Sequence, residues 1–238
     1  MKRILWLAFA LCVCFGSVAQ TTDAERIGID WTAGECIAED EVDLLRDFAS
    51  EEISDEVFCR MSGKSYKAGC TIPRAELRYV RVLHYTPSGR VQRGELVCNR
   101  LIAADLVAIF RELFDQKYPI ERMVLIDEYG AEDRPSMEAN NTSAFNYREI
   151  RNTGKLSNHS WGMAVDVNPL YNPCVIRRRD GSVSVDPEKG RPYADRTKAF
   201  PMKIDRQDPC YKAFTARGFE WGGAWHSLKD YQHFEKKR

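Results

Sequence analysis

The chain has 238 residues, of which 44% are hydrophobic, and this is enough for the buried core of one domain with or without an extension. Its 35 basic and 35 acidic side chains balance, which argues against the strongly positive surface of a nucleic-acid-binding protein. We therefore expect no nucleic-acid partner.

The first residues have the pattern of an export signal. Lys2 and Arg3 precede an apolar run over residues 4–13, and Ser17 and Ala19 provide small side chains where a signal peptidase would cut. The run is shorter than the roughly 20 residues that a membrane-spanning helix needs. We expect a signal peptide over residues 1–19 and a secreted or periplasmic mature protein without a stable membrane span.

The cysteine count supports export. Six cysteines follow the predicted signal peptide, and an even number in an exported chain predicts disulfides, although six cysteines allow 15 pairings. Their irregular spacing, without a C-x-x-C pair, argues against a zinc ribbon. The predicted pairs are Cys174 with Cys210 and Cys59 with Cys70, and the remaining two cysteines are Cys36 and Cys98.

Residues 20–72 differ in composition from the rest of the chain, because residues 20–69 contain 13 acidic and 5 basic side chains. Apolar side chains fall near helical spacing between Val42 and Ile53, which predicts a short amphipathic helix. We interpret this segment as an acidic N-terminal extension whose solvated helix packs on the main domain. A partner-binding function is the alternative.

The main domain is predicted to span residues 73–238. Residues 77–85 (LRYVRVLHY) are rich in β-branched and aromatic side chains and predict a strand, and residues 94–98 predict its return after a turn. Apolar side chains at helical spacing predict a helix over residues 101–116. We expect His84, in the first of these strands, to be a packed structural histidine.

Shorter elements follow in the second half of the chain. We predict strands over residues 123–126, 164–167 and 232–235, a hairpin turn at Asp180 and Gly181, and a helix over residues 208–217 that Gly218 closes. Because strands and helices do not alternate regularly, the predicted class is α+β rather than a doubly wound sheet.

Two histidines have an acidic residue at a spacing that suits a metal site. His159 lies seven positions before Asp166 in SNHSWGMAVDVNP, so a loop that leads into a strand would bring both to one ion. Gly162 allows the chain to turn between them. Catalytic zinc takes three protein ligands and leaves one position open, and His233 near the C-terminus is the predicted third ligand. We therefore expect one zinc ion at these three side chains.

Two further side chains fit the hydrolysis of an amide bond. Asp230 lies three positions before His233, where its carboxylate would accept a proton from the attacking water and pass it to the leaving amine. Arg148, eleven positions before His159, offers a planar guanidinium for a substrate carboxylate or a developing oxyanion. A surface position is the alternative for Arg148, and His226 is expected either on the surface or in a cleft.

The motifs SNHSWGMAVDVNP and DYQHFE resemble the two metal motifs of the zinc D-alanyl-D-alanine peptidases. The stretch GFEWGGAWHSLKDYQHFE, residues 218–235, is most similar to the L-alanyl-D-glutamate endopeptidase branch of that superfamily. The stretch NNTSAFNYR, residues 140–148, resembles the arginine motif that precedes the first ligand. The similarity extends over about residues 75–238.

This resemblance implies roles for single residues and a fold. It implies the three zinc ligands proposed above, Asp230 as the general base, and Arg148 as a substrate-anchoring or transition-state-stabilising residue. Ser157 would contact substrate or support a zinc ligand. The implied fold is the mixed α+β fold that the D,D-peptidases share with the signalling domain of hedgehog proteins, with a small antiparallel sheet and flanking helices.

The resemblance and the export signal together imply a zinc peptidase that cuts peptidoglycan stem peptides, with the L-Ala–D-Glu bond as the first choice. A D-Ala-D-Ala carboxypeptidase or dipeptidase is the nearest alternative. A non-catalytic cell-wall binding protein on the same fold and a disulfide-linked binding domain without metal are the others. Ala224 and His226 stand where the endopeptidase branch often has an acidic and a basic residue, so the substrate preference stays open.

Overall fold

The computed structural model describes residues 31–150, 153–226 and 228–237, and Thr32–Arg238 form one compact unit. The predicted signal peptide lies outside the described residues. The strands and α-helices, in chain order, are β1 (Cys36–Ile37), β2 (Ala49–Glu52), α1 (Asp55–Met61), β3 (Leu77–Tyr85), β4 (Val91–Asn99), α2 (Arg100–Asp115), α3 (Asp133–Glu138), β5 (Ala164–Asp166), β6 (Cys174–Arg177), β7 (Val183–Asp186), α4 (Pro209–Ala216), β8 (Glu220–Trp221), β9 (Lys229–Asp230) and β10 (His233–Glu235). The class is mixed α+β, as predicted.

A long antiparallel hairpin, β3–β4, is the centre of a four-stranded sheet with the order β1-β4-β3-β2. The alternating β-branched and aromatic side chains of β3 suit a pleated surface that is buried on both sides. Helix α2 begins directly after β4, where the Asn99 side chain accepts a hydrogen bond from the backbone N–H of Leu101. Its buried stripe, which includes Leu106, Phe110 and Leu113, covers one face of the sheet. The predicted hairpin and helix are confirmed.

The acidic segment contributes two strands to this sheet, because β1 pairs with β4 and β2 pairs with β3. The predicted helix between Val42 and Ile53 is wrong. Phe48 and Ile53 are buried, but Leu45, which the same helical face would have carried inward, is 93% exposed. The free edge of β3 offers backbone hydrogen bonds to β2, and this pairing prevails over the helical spacing. The predicted domain boundary near residue 73 stays a prediction.

Residues 123–126 do not form the predicted strand. The Asn141 side chain accepts a hydrogen bond from the N–H of Val124 and donates one to its carbonyl, so that an amide side chain takes the place of a neighbouring strand. The carbonyl of Met123 accepts one hydrogen bond from the N–H of Glu95 on β4, and a 3₁₀ turn, Ile126–Tyr129, follows. The apolar run therefore enters the core as a loop tied down by side chains.

Two three-stranded sheets form the second half of the molecule, with the orders β5-β10-β8 and β7-β6-β9. Phe234 of β10 stacks on Phe214 of α4 with ring centroids 4.3 Å apart, and Phe110 of α2 meets the same ring edge-on. This aromatic contact joins the β5-β10-β8 sheet to the first half of the chain. The predicted strands near residues 164–167 and 232–235, the hairpin at Asp180–Gly181 and the helix near residues 208–217 are confirmed.

All six cysteines after the predicted signal peptide are free thiols, so the predicted pairs Cys174–Cys210 and Cys59–Cys70 are not formed. Cys210 lies in the buried core on α4, whereas Cys174 lies on β6 opposite Asp230. Cys59 is on the exposed side of α1. Chain spacing alone did not reveal these different environments.

In the part of the chain that the structure describes, no helix is long and apolar enough to cross a bilayer.

Candidate metal centre

Three side chains that are far apart in the sequence converge at one point. Each of His159, Asp166 and His233 offers one ligand atom, and these atoms lie within 4.8 Å of one another. His159 Nε2 is 3.3 Å from Asp166 Oδ2, and His233 Nδ1 is 3.0 Å from Asp166 Oδ1. The two imidazole nitrogens are 3.3 Å apart. The structure therefore brings together the three residues that we predicted as ligands.

A short 3₁₀ turn, Asn158–Trp161, presents His159. Ser157 precedes the turn, and its hydroxyl accepts a hydrogen bond from the backbone N–H of His159 (3.2 Å). The turn ends at Gly162, whose φ of +65° lies in the left-handed region. The other ring nitrogen of His159, Nδ1, donates to the carbonyl of Ala144 at 2.6 Å, which leaves Nε2 as the metal-facing atom.

Strand pairing places the other two ligands. Asp166 ends β5 and His233 begins β10, and the two residues are direct partners in the antiparallel register. The second nitrogen of His233, Nε2, lies 3.0 Å from Glu235 Oε2, and the same oxygen accepts a hydrogen bond from Asn158 Nδ2 at 2.6 Å. Glu235 thus joins the His159 turn to the His233 strand, so both imidazole rings are held by contacts outside the proposed metal site.

The electrostatics of the site favour a cation. Burial raises the pKa of Asp166. The positive charges of His159 and His233 and their hydrogen bonds to Asp166 outweigh this effect and hold its pKa well below the usual range. Burial lowers the pKa of His233, but hydrogen bonds to Asp166 and Glu235 raise it to about 10. The carboxylates around His233 therefore favour positive charge at this point, which a bound cation would supply.

Asp230 supplies a further carboxylate beside the three ligands. It lies on β9, and its Oδ1 is buried without a hydrogen-bond partner among the described residues. Burial and the neighbouring charge of Asp166 raise the pKa of Asp230 to about 6. A buried, unpartnered carboxylate oxygen is costly unless a cation or a proton compensates it. The donor set, two imidazoles and a carboxylate with this acid beside them, fits a catalytic divalent ion such as zinc.

Gly222 makes the close approach at this site possible. A Cβ atom on Gly222 would lie 2.7 Å from the carbonyl oxygen of Asp230, 2.9 Å from its Cβ and 3.2 Å from the Cβ of His233. All three distances are shorter than ordinary contacts. The first glycine of the WGG motif is therefore required by the close approach of Asp230 and His233, which the sequence does not reveal.

The side chain of Arg148 forms an ion pair with Asp133. Its Nε lies 2.5 Å from Asp133 Oδ2 at the start of α3, and Asp133 Oδ1 accepts a hydrogen bond from Asn146 Nδ2. The backbone of Arg148 is nevertheless tied to the His159 turn, because the Ser160 hydroxyl accepts from its N–H and donates to its carbonyl. Arg148 is thus adjacent to the site with its guanidinium paired to Asp133.

Several residues that support the site were not predicted from the sequence. Glu235 stands inside the quoted motif DYQHFE, so its position two residues after His233 was a usable signal. Asn158 is likewise inside the first motif. Asp133 and the carbonyl of Ala144 could not be found in this way, because only the fold brings them to Arg148 and His159.

Residues 151–236 match a family model described as D-alanyl-D-alanine carboxypeptidase. The predicted resemblance to the zinc D-alanyl-D-alanine peptidases is confirmed. The segment that matches the D-alanyl-D-alanine carboxypeptidase family contains His159, Asp166, Asp230 and His233. The match supports a peptidase. Comparisons with curated proteins and with solved structures gave no match.

Proposed function

We propose that this protein is a zinc peptidase of peptidoglycan in which His159, Asp166 and His233 hold one zinc ion. The observation that carries the proposal is the convergence of their ligand atoms within 4.8 Å, next to the buried carboxylate of Asp230. When bound, a zinc ion supplies a Lewis acid that polarises the scissile carbonyl and lowers the pKa of water. The remaining steps belong to side chains of this chain.

Asp230 is the proposed general base. Its Oδ1 has no hydrogen-bond partner among the described residues, so it is free to accept a proton from the attacking water. Its pKa of about 6 lies closer to neutral pH than that of an ordinary aspartate. The same carboxyl group can therefore take up the proton and then deliver it to the leaving amine.

Arg148 is the proposed anchor for the substrate. Its backbone is bound to the turn that carries His159, and its Nε is paired with Asp133. A guanidinium group is suited to bind a carboxylate or a developing oxyanion in two parallel hydrogen bonds. Ser157 is proposed to support the first ligand, since its hydroxyl caps the turn at His159.

The proposed scissile bond is L-Ala–D-Glu, on the similarity of residues 218–235 to the endopeptidase branch. The printed description of the matching family favours the second candidate, a D-Ala-D-Ala carboxypeptidase or dipeptidase. In both reactions the leaving amine belongs to a D-amino acid that carries a free α-carboxylate. A secreted or periplasmic location is proposed from the sequence pattern of residues 1–19.

Digestion of purified peptidoglycan, with products identified by mass spectrometry, tests the proposal. We expect chelator-sensitive release of peptides, and the product masses name the bond. Asp230→Asn is expected to keep one bound zinc and lower turnover by about 10²-fold or more, because the proton acceptor is lost. His159→Ala is expected to lose zinc affinity as well.

Asp180→Asn is the matched control, because Asp180 is exposed at the hairpin tip away from the ligands. It should leave both zinc content and turnover at the wild-type level. Normal turnover of Asp230→Asn would contradict the general-base role. Zinc at one equivalent without any peptide release would favour a non-catalytic wall-binding protein.

A further inference from the structure

A cleft of about 420 Å³ is lined by residues of α4 and of the segment 219–226. It is lined by aromatic rings, including Tyr211, Trp221 and Trp225, and by the charged or polar side chains of Arg206, Glu220 and His226. Trp225 links the cleft to the proposed site, because its ring lies 5.2 Å from the ring of His233. A ligand that contacts Trp225 in this cleft would therefore lie one aromatic ring away from His233.

The aromatic wall of the cleft is preformed. Trp221 is buried, and its Nε1 donates to the carbonyl of Tyr231 at 2.9 Å. Tyr211 meets Trp221 edge-on with ring centroids 5.3 Å apart. Because the indole N–H already has a hydrogen-bond partner, the aromatic rings of the cleft can contact an apolar part of a ligand without a rearrangement of their side chains.

The charge at the rim of the cleft is unevenly compensated. Glu220 is paired with Lys237, with a 2.7 Å distance between Oε1 and Nζ. Arg206 is exposed and has no ion pair within the described ranges of the chain. His226 is exposed beside it on the same cleft. The uncompensated charge is therefore positive, and a ligand with a carboxylate complements it better than a neutral sugar does.

We propose that this cleft binds the leaving peptide, with Arg206 pairing with a carboxylate of that peptide and the aromatic wall contacting its aliphatic part. The inference rests on the proposed function. In an L-Ala–D-Glu cleavage the leaving side carries the carboxylates of the stem, whereas the acyl side carries a neutral amide and a sugar. Clefts of this volume hold ligands larger than a single alanine. The cleft therefore favours cleavage within the stem over removal of a terminal D-alanine.

Calorimetric titration of the zinc-loaded full chain with a leaving peptide tests the inference. The probe is the dipeptide of D-glutamate γ-linked to a diamino acid, and the same dipeptide with its carboxylates amidated is the comparison. Arg206→Gln is expected to weaken binding of the acidic dipeptide about tenfold, the usual size of one charge-assisted hydrogen bond. Amidation should weaken wild-type binding by the same factor and leave the variant's binding nearly unchanged.

Lys212→Gln is the matched control, because Lys212 is an exposed cation on α4 next to Tyr211 and does not line the cleft. It removes the same charge and should bind the acidic dipeptide as the wild type does. Equal binding by Arg206→Gln and the wild type, or no binding by either, would overturn the inference. The inference would also be overturned if Arg206→Gln weakened binding of a muramoyl-L-alanine fragment only. That result would assign the cleft to the acyl side of the scissile bond. Chelator-sensitive digestion of peptidoglycan is scored separately, so failure of the cleft and failure of the peptidase proposal are told apart.

Discussion

At the level of single residues, the proposed metal site depends on partners that are not ligands. His159 Nδ1 donates to the carbonyl of Ala144, and His233 Nε2 lies 3.0 Å from Glu235. Each of these contacts fixes the orientation of an imidazole ring and leaves the opposite nitrogen for a metal. Glu235 has the larger effect of the two, because it also binds Asn158 and so connects both ligand-bearing segments.

Replacing Glu235 is therefore expected to weaken metal binding. Glu235→Ala should lower zinc affinity by about 10- to 100-fold, the usual cost of removing a partner that orients a histidine ligand. Glu235→Gln should lower zinc affinity less than Glu235→Ala does, since an amide oxygen still accepts a hydrogen bond from His233. Competition for zinc against a chromophoric chelator measures the affinity.

Glu220→Ala is the control for this experiment. Glu220 is the register partner of Glu235 on the neighbouring strand, but it is exposed and paired with Lys237. Its removal should leave zinc affinity within about twofold of the wild type, as is usual for an exposed position that touches no ligand. Equal losses in Glu220→Ala and Glu235→Ala would mean that local strand stability, rather than orientation of His233, determines affinity.

At the level of elements, the turn that carries His159 is docked against the end of β4. The carbonyl of Gly162 accepts a hydrogen bond from the N–H of Asn99 at 2.8 Å. A Cβ on Gly162 would lie 2.6 Å from that nitrogen and 3.0 Å from the carbonyl carbon of Cys98. These are backbone atoms in the middle of the molecule, so they cannot move aside easily.

Gly162→Ala and Gly130→Ala form a matched pair that separates crowding from backbone strain. Both glycines end a 3₁₀ turn, with φ 65° and ψ 22° at Gly162 and φ 65° and ψ 21° at Gly130. Nothing lies within 4 Å of a Cβ on Gly130. We expect Gly130→Ala to lower the free energy of unfolding by about 1 kcal/mol, the cost of the left-handed backbone, and Gly162→Ala to lower it by about 2 kcal/mol more.

Denaturant unfolding of both variants measures these losses, and zinc titration should show weaker binding only in Gly162→Ala. If the two variants lose equal stability, β4 does not crowd the His159 turn and the docking has no energetic consequence.

The elements that could be predicted from the sequence are those whose pattern agrees with their surroundings. Strand β3 is rich in β-branched and aromatic side chains and is buried on both faces, and helix α2 has apolar side chains at helical spacing that pack on the sheet. The segment from Val42 to Ile53 has helical spacing but becomes turns and a strand, because an open sheet edge lies beside it in the fold. Local spacing contains no information about that edge.

The same distinction applies to the candidate site. His159, Asp166, Asp230 and His233 were predicted because their motifs are compact and chemically specific. The pairing of Arg148 with Asp133 was not predictable, because it joins a loop to the start of α3 across the fold. The disulfide prediction failed for the same reason, since counting cysteines does not show that Cys210 lies in the core and Cys174 on another element.

At the level of the whole molecule, the sheet outside the matched segment of residues 151–236 supports the proposed site. Asn99 binds the His159 turn through Gly162, and the N–H of Phe145 donates to the carbonyl of Val97 on β4. The stability of the β3–β4 hairpin therefore bears on the site as well as on the fold. His84, near the end of β3, lies in this hairpin with its ring against Gly94 and Met123.

His84 is expected to make the folded protein sensitive to acid. It is only 2% exposed, and neither ring nitrogen has a hydrogen-bond partner among the described residues. Burial lowers its pKa from the ordinary 6.5 to about 4. The unfolded chain therefore takes up a proton below about pH 6.5 while the folded chain does not. The contribution of neutral His84 to the free energy of unfolding is therefore complete above pH 6.5. It is lost as the pH falls towards 4.

Replacing His84 should remove this dependence. Between pH 7 and about pH 4.5, the wild type is expected to lose about 2–3 kcal/mol more of its free energy of unfolding than His84→Leu loses. Urea unfolding at both pH values measures the difference, and the other titrating groups, including the proposed ligands, cancel because both proteins contain them. His226→Gln is the control, since His226 is exposed and should leave the wild-type pH dependence unchanged. Parallel pH profiles for His84→Leu and the wild type would show that His84 is protonated equally in the folded and unfolded states.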